Sequence, residues 1–113
     1  MNKSMASKIS TSLIISTYNR SDALELCVKS VLRQSLLPDE IIIADDGSKE
    51  ETGELIHQLA TTSVVPIIHV WHEDLGFRLA TIRNKAIVKA TKEYIIQIDG
   101  DIVLHKDFVK DHV

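Results

Sequence analysis

The chain has 113 residues, 44% hydrophobic and 26% charged, values ordinary for one small globular domain or a piece of a larger one. Its net charge of −3 argues against a general nucleic-acid footprint. The single cysteine, Cys27, excludes an internal disulfide framework and fits a reducing compartment, and no apolar run approaches the roughly 20 residues of a membrane span.

Met1 to Lys8 lacks the apolar stretch of a signal peptide and reads as a polar, disordered lead-in. Ile9 to Ser16 is a short apolar run built around Leu13-Ile14-Ile15, the first strand. Asp22 with Glu25 forms a capping box for a helix whose stripe is Leu24, Cys27, Val28, Val31 and Leu32. Cys27 on that stripe is a core thiol. Pro38 ends the unit. Glu40 to Ala44 is a continuous β-branched run, which predicts a strand buried on both faces. Ser48 with Glu51 makes a second capping box, and Leu55, Ile56, Leu59 and Ala60 carry the helix onward. Val64 to Trp71 predicts a third strand, placed at a sheet edge by Pro66. Arg78 to Lys92 predicts a third helix with Leu79, Ile82, Ala86, Ile87 and Ala90 inward, and Tyr94 to Ile98 the fourth strand. A helix begins after Asp107, its expected N-cap, so the chain is expected to stop in mid-fold.

Alternating strands and helices imply an α/β fold with a parallel sheet and right-handed crossovers. In such sheets ligands bind beyond the carboxyl ends of the strands. The polar chemistry collects there: Thr17-Tyr18-Asn19-Arg20, Asp45-Asp46-Gly47-Ser48, His72 to Arg78, and Asp99-Gly100-Asp101. The opposite edge carries plain connectors such as Ser35 to Pro38 and Thr61 to Ser63.

Asp99 and Asp101 flank one glycine directly after a buried strand. Two such carboxylates, completed by phosphate oxygens and water, suit Mg²⁺ or Mn²⁺, and Gly100 removes a side chain where phosphates would approach. No Cys/His set has zinc spacing. Taken blandly, Asp45-Asp46-Gly47-Ser48 is a strand-to-helix turn, which explains Gly47 and Ser48 but not two acids. A carboxylate there can accept hydrogen bonds from a nucleobase imide or a ribose hydroxyl. Tyr18 is either a loop aromatic or, in a chain with 4% aromatics, a platform for a base. Arg78 and Arg83 either decorate a helix face or neutralise a diphosphate beside the helix N-terminus. His72, Glu73, His105 and His112 are ambiguous, and His57 and His69 carry no assigned role. Dinucleotide, phosphate-loop and esterase signatures are absent.

Together these stretches resemble family 2 glycosyltransferases, over Ile9 to Val113. The matching pieces are Ile14 to Arg20, Leu32-Arg33-Gln34-Ser35, Asp39 to Ser48 and Asp99-Gly100-Asp101 in the place of the family's metal-binding Asp-x-Asp. Glu73 to Arg78 with Ile82-Arg83-Asn84-Lys85-Ala86 is similar to a subgroup that builds bacterial lipopolysaccharide and capsule. The resemblance implies the GT-A fold, a Rossmann-like three-layer α/β/α arrangement with a mainly parallel sheet, and makes residues 9–113 the N-terminal nucleotide-sugar-binding part. It implies that Tyr18 lies against uracil with the backbone near Ser16, that Asp46 bonds the uracil imide and that Asp45 supports it. Arg78 and Arg83 would sit near the diphosphate or sugar. Asp99 would face the ribose, and Asp99 and Asp101 would hold Mn²⁺ or Mg²⁺. The implied activity is metal-dependent, inverting transfer from a UDP-sugar to a saccharide or lipid-linked acceptor in polysaccharide or lipopolysaccharide synthesis, on the cytoplasmic side. The family's catalytic base is expected beyond Val113, so this chain alone is expected to be inactive. Competing readings are a non-catalytic nucleotide-sugar-binding module, a Mg²⁺-dependent phosphotransfer domain and a structural α/β fragment. Phosphotransfer is disfavoured because Ser16-Thr17-Tyr18-Asn19 stands where its acidic nucleophile would follow the first strand.

Overall fold

The computed structural model describes residues 9–76 and 78–113. The expected lead-in, residues 1–8, and Phe77 of the subgroup motif lie outside the described residues. The elements run β1 (Thr11–Thr17), α1 (Ser21–Leu32), β2 (Glu40–Asp45), α2 (Glu50–Thr62), β3 (Ile67–Trp71), α3 (Leu79–Lys89), β4 (Tyr94–Asp99) and α4 (Phe108–His112). Four strands form one sheet in the order β3-β2-β1-β4, every pair parallel.

Alternation along the strands builds the three layers. Leu13, Ile15, Ile41 and Ile43 point to one face and pack against Leu24, Cys27, Val28 and Val31 of α1 and Ile56 of α2. Ile14, Ile42 and Ala44 point to the other face, against Ile82 and Ala86 of α3. The faces follow from chain direction. β1 to β3 step one way across the sheet, and β4 returns to the far side of β1. Right-handed crossovers therefore put α1 and α2 on one face and α3 on the other. β1 and β2 are buried along their whole length, and β3 is an edge strand as Pro66 suggests. Cys27 is in the core, where burial pushes its thiol up to about 11. Among the described residues no helix is long and apolar enough to cross a membrane.

Several expectations are corrected. Neither capping box forms. α1 is preceded by Arg20 and α2 by Lys49, and no side chain caps either helix. The Ser48 hydroxyl instead accepts the Asn19 N–H at 2.7 Å. Asp107 occupies the N-cap position of α4, but its carboxylate accepts the Ser35 hydroxyl at 2.6 Å. β3 starts at Ile67 rather than Val64 because the Ser63 hydroxyl bonds both backbone groups of Val65, forming a tight turn. Ile87 is not inward but 37% exposed.

α3 stops at Lys89 instead of Lys92 because the amides that would continue it are taken from the sheet. Glu40 is only 4% exposed, and its carboxylate accepts Thr91 N–H at 2.8 Å, Thr91 Oγ1 at 3.1 Å and Ser12 Oγ at 2.6 Å. Lys92 N–H donates to Ser12 Oγ at 3.3 Å. The amino edge of the sheet is thus not plain but holds a buried, fully bonded carboxylate. Burial opposes its charge, yet the hydrogen bonds from Ser12 and Thr91, with Lys92 nearby, hold the Glu40 carboxyl below its ordinary range. A carboxyl depressed in the folded state contributes stability present above the ordinary glutamate pKa and lost as pH falls through the folded value. Urea unfolding of wild type and Glu40→Gln is expected to differ by about 1–3 kcal/mol at pH 7, with the gap closing as pH falls below the ordinary glutamate range. A gap independent of pH would contradict this account.

Candidate functional site

The strand order reverses between β1 and β4, and crevices in open α/β sheets form at such reversals. A cavity of about 200 Å³ opens there, lined by Ser16, Thr17, Tyr18, Arg20, Asp46, Leu79, Asp99, Gly100 and Asp101. Five of the eight expected site residues therefore share one cleft: Ser16, Tyr18, Asp46, Asp99 and Asp101.

The floor is set by a close backbone approach. Gly100 N–H donates to the Ser16 carbonyl at 2.7 Å, and a Cβ on Gly100 would lie 2.7 Å from that oxygen. The space that glycine leaves is filled by the protein's own β1, not kept open for phosphates. This contact holds the Asp99-Gly100-Asp101 turn against the end of β1. Asp99 Oδ1 accepts Arg83 Nη2 at 2.6 Å and Ser16 Oγ at 3.1 Å. Arg83 therefore reaches the cleft through Asp99. Asp101 is exposed and has no hydrogen-bond or ion-pair partner among the described residues. No group of three or more His, Cys, Asp or Glu able to hold a metal occurs among the described residues. Asp101, with the remaining oxygen of Asp99, is a partial all-oxygen donor set. Such a set fits Mg²⁺ or Mn²⁺ with phosphate oxygens and water completing the shell.

The wall is the turn after β2. Asp45 is fully buried; its Oδ1 accepts Ser48 N–H at 2.9 Å and its Oδ2 lies 2.8 Å from His69 Nε2. Asp45 thus shapes the turn and presents nothing to the cleft. Asp46 is 2% exposed; its Oδ1 lies 2.6 Å from His72 Nε2 and its Oδ2 accepts the Arg78 backbone N–H at 2.9 Å. Arg78 contributes that amide, while its side chain is exposed and outside the cavity lining. Gly47, at φ 90°, has no room for a Cβ, which would come within 2.6 Å of the Asp74 backbone. The segment after β3 therefore rests directly on this turn. Asn19, at φ 48°, ties in the loop after β1: its N–H donates to Ser48 Oγ, and its Oδ1 accepts Lys49 N–H at 2.8 Å.

Four side chains at or behind the cleft were not assigned from sequence: Arg20, His69, His72 and Asp74. Arg20 lines the cavity. Each histidine meets a different carboxylate because of the β2–β3 register, which pairs Ile43 with His69 and Asp45 with Trp71. The sequence signal was two histidines spaced to follow two adjacent acids, unreadable without that register. Asp74 accepts the Tyr18 hydroxyl at 2.6 Å, closing a smaller recess with Asp46 and Gly76. That bond, and the carboxylate's repulsion of a phenolate, raise the Tyr18 phenol above its ordinary 10.0.

The glycosyl transferase family 2 model matches residues 12–113, so the chain belongs to that family. Chondroitin synthase of Escherichia coli is 31% identical over 103 residues, covering 90% of this chain and 15% of that protein. Among solved structures, S. aureus TarS 1-349 in complex with UDP superposes with a TM-score of 0.74 at 22% identity, over 92% of this chain and 31% of that one. The Pyrobaculum calidifontis mannosyltransferase PcManGT, in complex with GDP-Man and Mn²⁺, gives 0.73 at 24% identity, over 83% and 28%. The fold is thus that of GT-A glycosyltransferases. The chain spans less than a third of the length of each of these proteins.

The Tyr18–Asp74 contact is directly measurable. The chain has two tyrosines, so Tyr94→Phe isolates the Tyr18 phenol in an ultraviolet alkaline titration. Asp74→Asn in that background is expected to move the titration down towards 10.0. Superimposable curves would show that the two side chains do not meet.

Proposed function

We propose that this family 2 chain is the donor-binding part of a metal-dependent, inverting glycosyltransferase. Its donor is a nucleotide-sugar, a UDP-sugar, and its acceptor a saccharide or lipid-linked saccharide in polysaccharide or lipopolysaccharide synthesis. The observation that carries the reading is the convergence of Tyr18, Asp46, Asp99 and Asp101 on one cleft at the sheet's reversal point. An aromatic face, an acceptor carboxylate and a cation-binding pair are the three chemistries a nucleoside diphosphate requires. The ligands of the structural neighbours support the choice, since TarS was solved with UDP and with UDP-GlcNAc, and PcManGT with GDP-Man and Mn²⁺. The chondroitin synthase likeness supports a polysaccharide product.

In this reading the Tyr18 ring, 45% exposed, stacks on the base and Asp46 accepts its imide N–H. Asp45 acts at one remove, through the turn it holds. Asp99, oriented by Arg83 and Ser16, faces the ribose, the Arg83 guanidinium lies towards the diphosphate, and Arg78 acts through its backbone N–H on Asp46. Asp101 with Asp99 holds Mn²⁺ or Mg²⁺, which when bound supplies charge neutralisation for the departing diphosphate. The acceptor hydroxyl attacks opposite the leaving group as a general base takes its proton.

Calorimetry separates the two halves of the site. UDP affinity in the presence of Mn²⁺ is expected to fall at least about tenfold in Asp101→Ala, an exposed position, through loss of a charged ligand. Metal-free uridine is expected to weaken about five- to tenfold in Tyr18→Ala through lost stacking. Unchanged UDP affinity with Mn²⁺ would remove the metal assignment, and unchanged uridine affinity the stacking one.

A further inference from the structure

Asp46 is the end of a longer chain of contacts that reaches α3. His72 is 8% exposed, with Nε2 at 2.6 Å from Asp46 Oδ1 and Nδ1 at 3.3 Å from Lys85 Nζ. A lysine ammonium has hydrogens to give and no lone pair to offer. The His72 nitrogen that faces it must therefore carry the lone pair. That places the ring's single N–H proton on Nε2, where it is donated to Asp46. The second oxygen of Asp46 accepts the Arg78 backbone N–H at 2.9 Å. Both oxygens thus meet donors, and among the described residues Asp46 donates no hydrogen bond. Asp46 also lines the recess formed with Tyr18, Asp74 and Gly76.

We infer that His72 and Lys85 are positioning residues that hold Asp46 as an acceptor-only group, so that the site selects a nucleobase presenting an imide or lactam N–H over one presenting a ring-nitrogen lone pair. The inference rests on the base-recognition reading above and adds the device that enforces it. Lys85 fixes which imidazole nitrogen is protonated, His72 passes that choice to Asp46, and Asp46 passes it to the ligand. A base with a lone pair at that edge would face two lone pairs across a buried contact. An unsatisfied buried polar contact of this kind is worth about tenfold in affinity. Lys85 sits on the exposed side of α3, so it can be changed without disturbing the core.

UDP and CDP make the test, since they share ribose and diphosphate and differ at the base edge. The measured quantity is the ratio of their affinities for the chain, taken in one buffer. His72→Leu is expected to collapse the UDP preference about tenfold, and Lys85→Met to reduce it about threefold by freeing the imidazole to protonate on either nitrogen. His72→Gln, whose amide can still donate to Asp46, is expected to restore most of the preference. A histidine that served only the fold would weaken UDP and CDP together and leave their ratio alone. A wild-type preference that survives both His72→Leu and Lys85→Met overturns the inference while base recognition stands. A wild-type chain that binds UDP no better than CDP overturns both.

Discussion

A strand buried along its whole length can offer chemistry only where it ends. All seven residues of β1 are buried, and the six of β2 likewise. Helices cover both faces of these central strands, so the polar residues of β1 and β2 sit at their ends. The amino edge uses its polar groups to finish α3 on Glu40, Ser12 and Thr91. The carboxyl edge uses them to shape a cleft. The division is imposed by burial, because an unpaired carboxylate in the middle of either strand would cost several kcal/mol.

At the carboxyl edge the two adjacent acids separate into two tasks. Asp45 ends β2 and Asp46 starts the turn after it, and the alternation of the strand carries over: Asp45 turns towards His69 and the α2 turn while Asp46 turns towards His72 and α3. Asp45 is spent internally on Ser48 and His69. Asp46 keeps acceptor capacity towards the cavity. Asp99 is closer to Asp45 in character, since Arg83 and Ser16 share one of its oxygens. Asp101 stands apart: it is exposed, and among the described residues its carboxylate has no hydrogen-bond or ion-pair partner.

What was legible in the sequence was whatever depends on pattern along the chain. The apolar runs at Leu13 to Ile15 and Ile41 to Ile43 announce central strands, and Pro66 announces an edge. The collection of polar residues after each strand locates the cleft before any coordinate is known. What depends on pairing across the chain was not legible. In sequence His69 carries no role and His72 is ambiguous, because the β2–β3 register alone brings them to Asp45 and Asp46. Ser48 spells a capping box with Glu51, but Asn19, 29 residues away, claims its hydroxyl. Gly100 looks like room for a ligand, yet the Ser16 carbonyl fills it.

The helix α3 is fastened at both ends by carboxylates from β2 and the turn that directly follows it. Asp46 takes the Arg78 amide just before its first turn, and Glu40 takes the Thr91 amide just after its last. Glu40 opens β2 and Asp46 directly follows its last residue, so β2 acts as a ruler against which the helix is cut to length. An insertion or deletion of one residue within α3 would break one clamp or the other, besides rotating the apolar stripe by about 100°. Loops elsewhere in the chain can change length cheaply. This segment cannot, and its eleven residues form a unit whose length is as constrained as its composition.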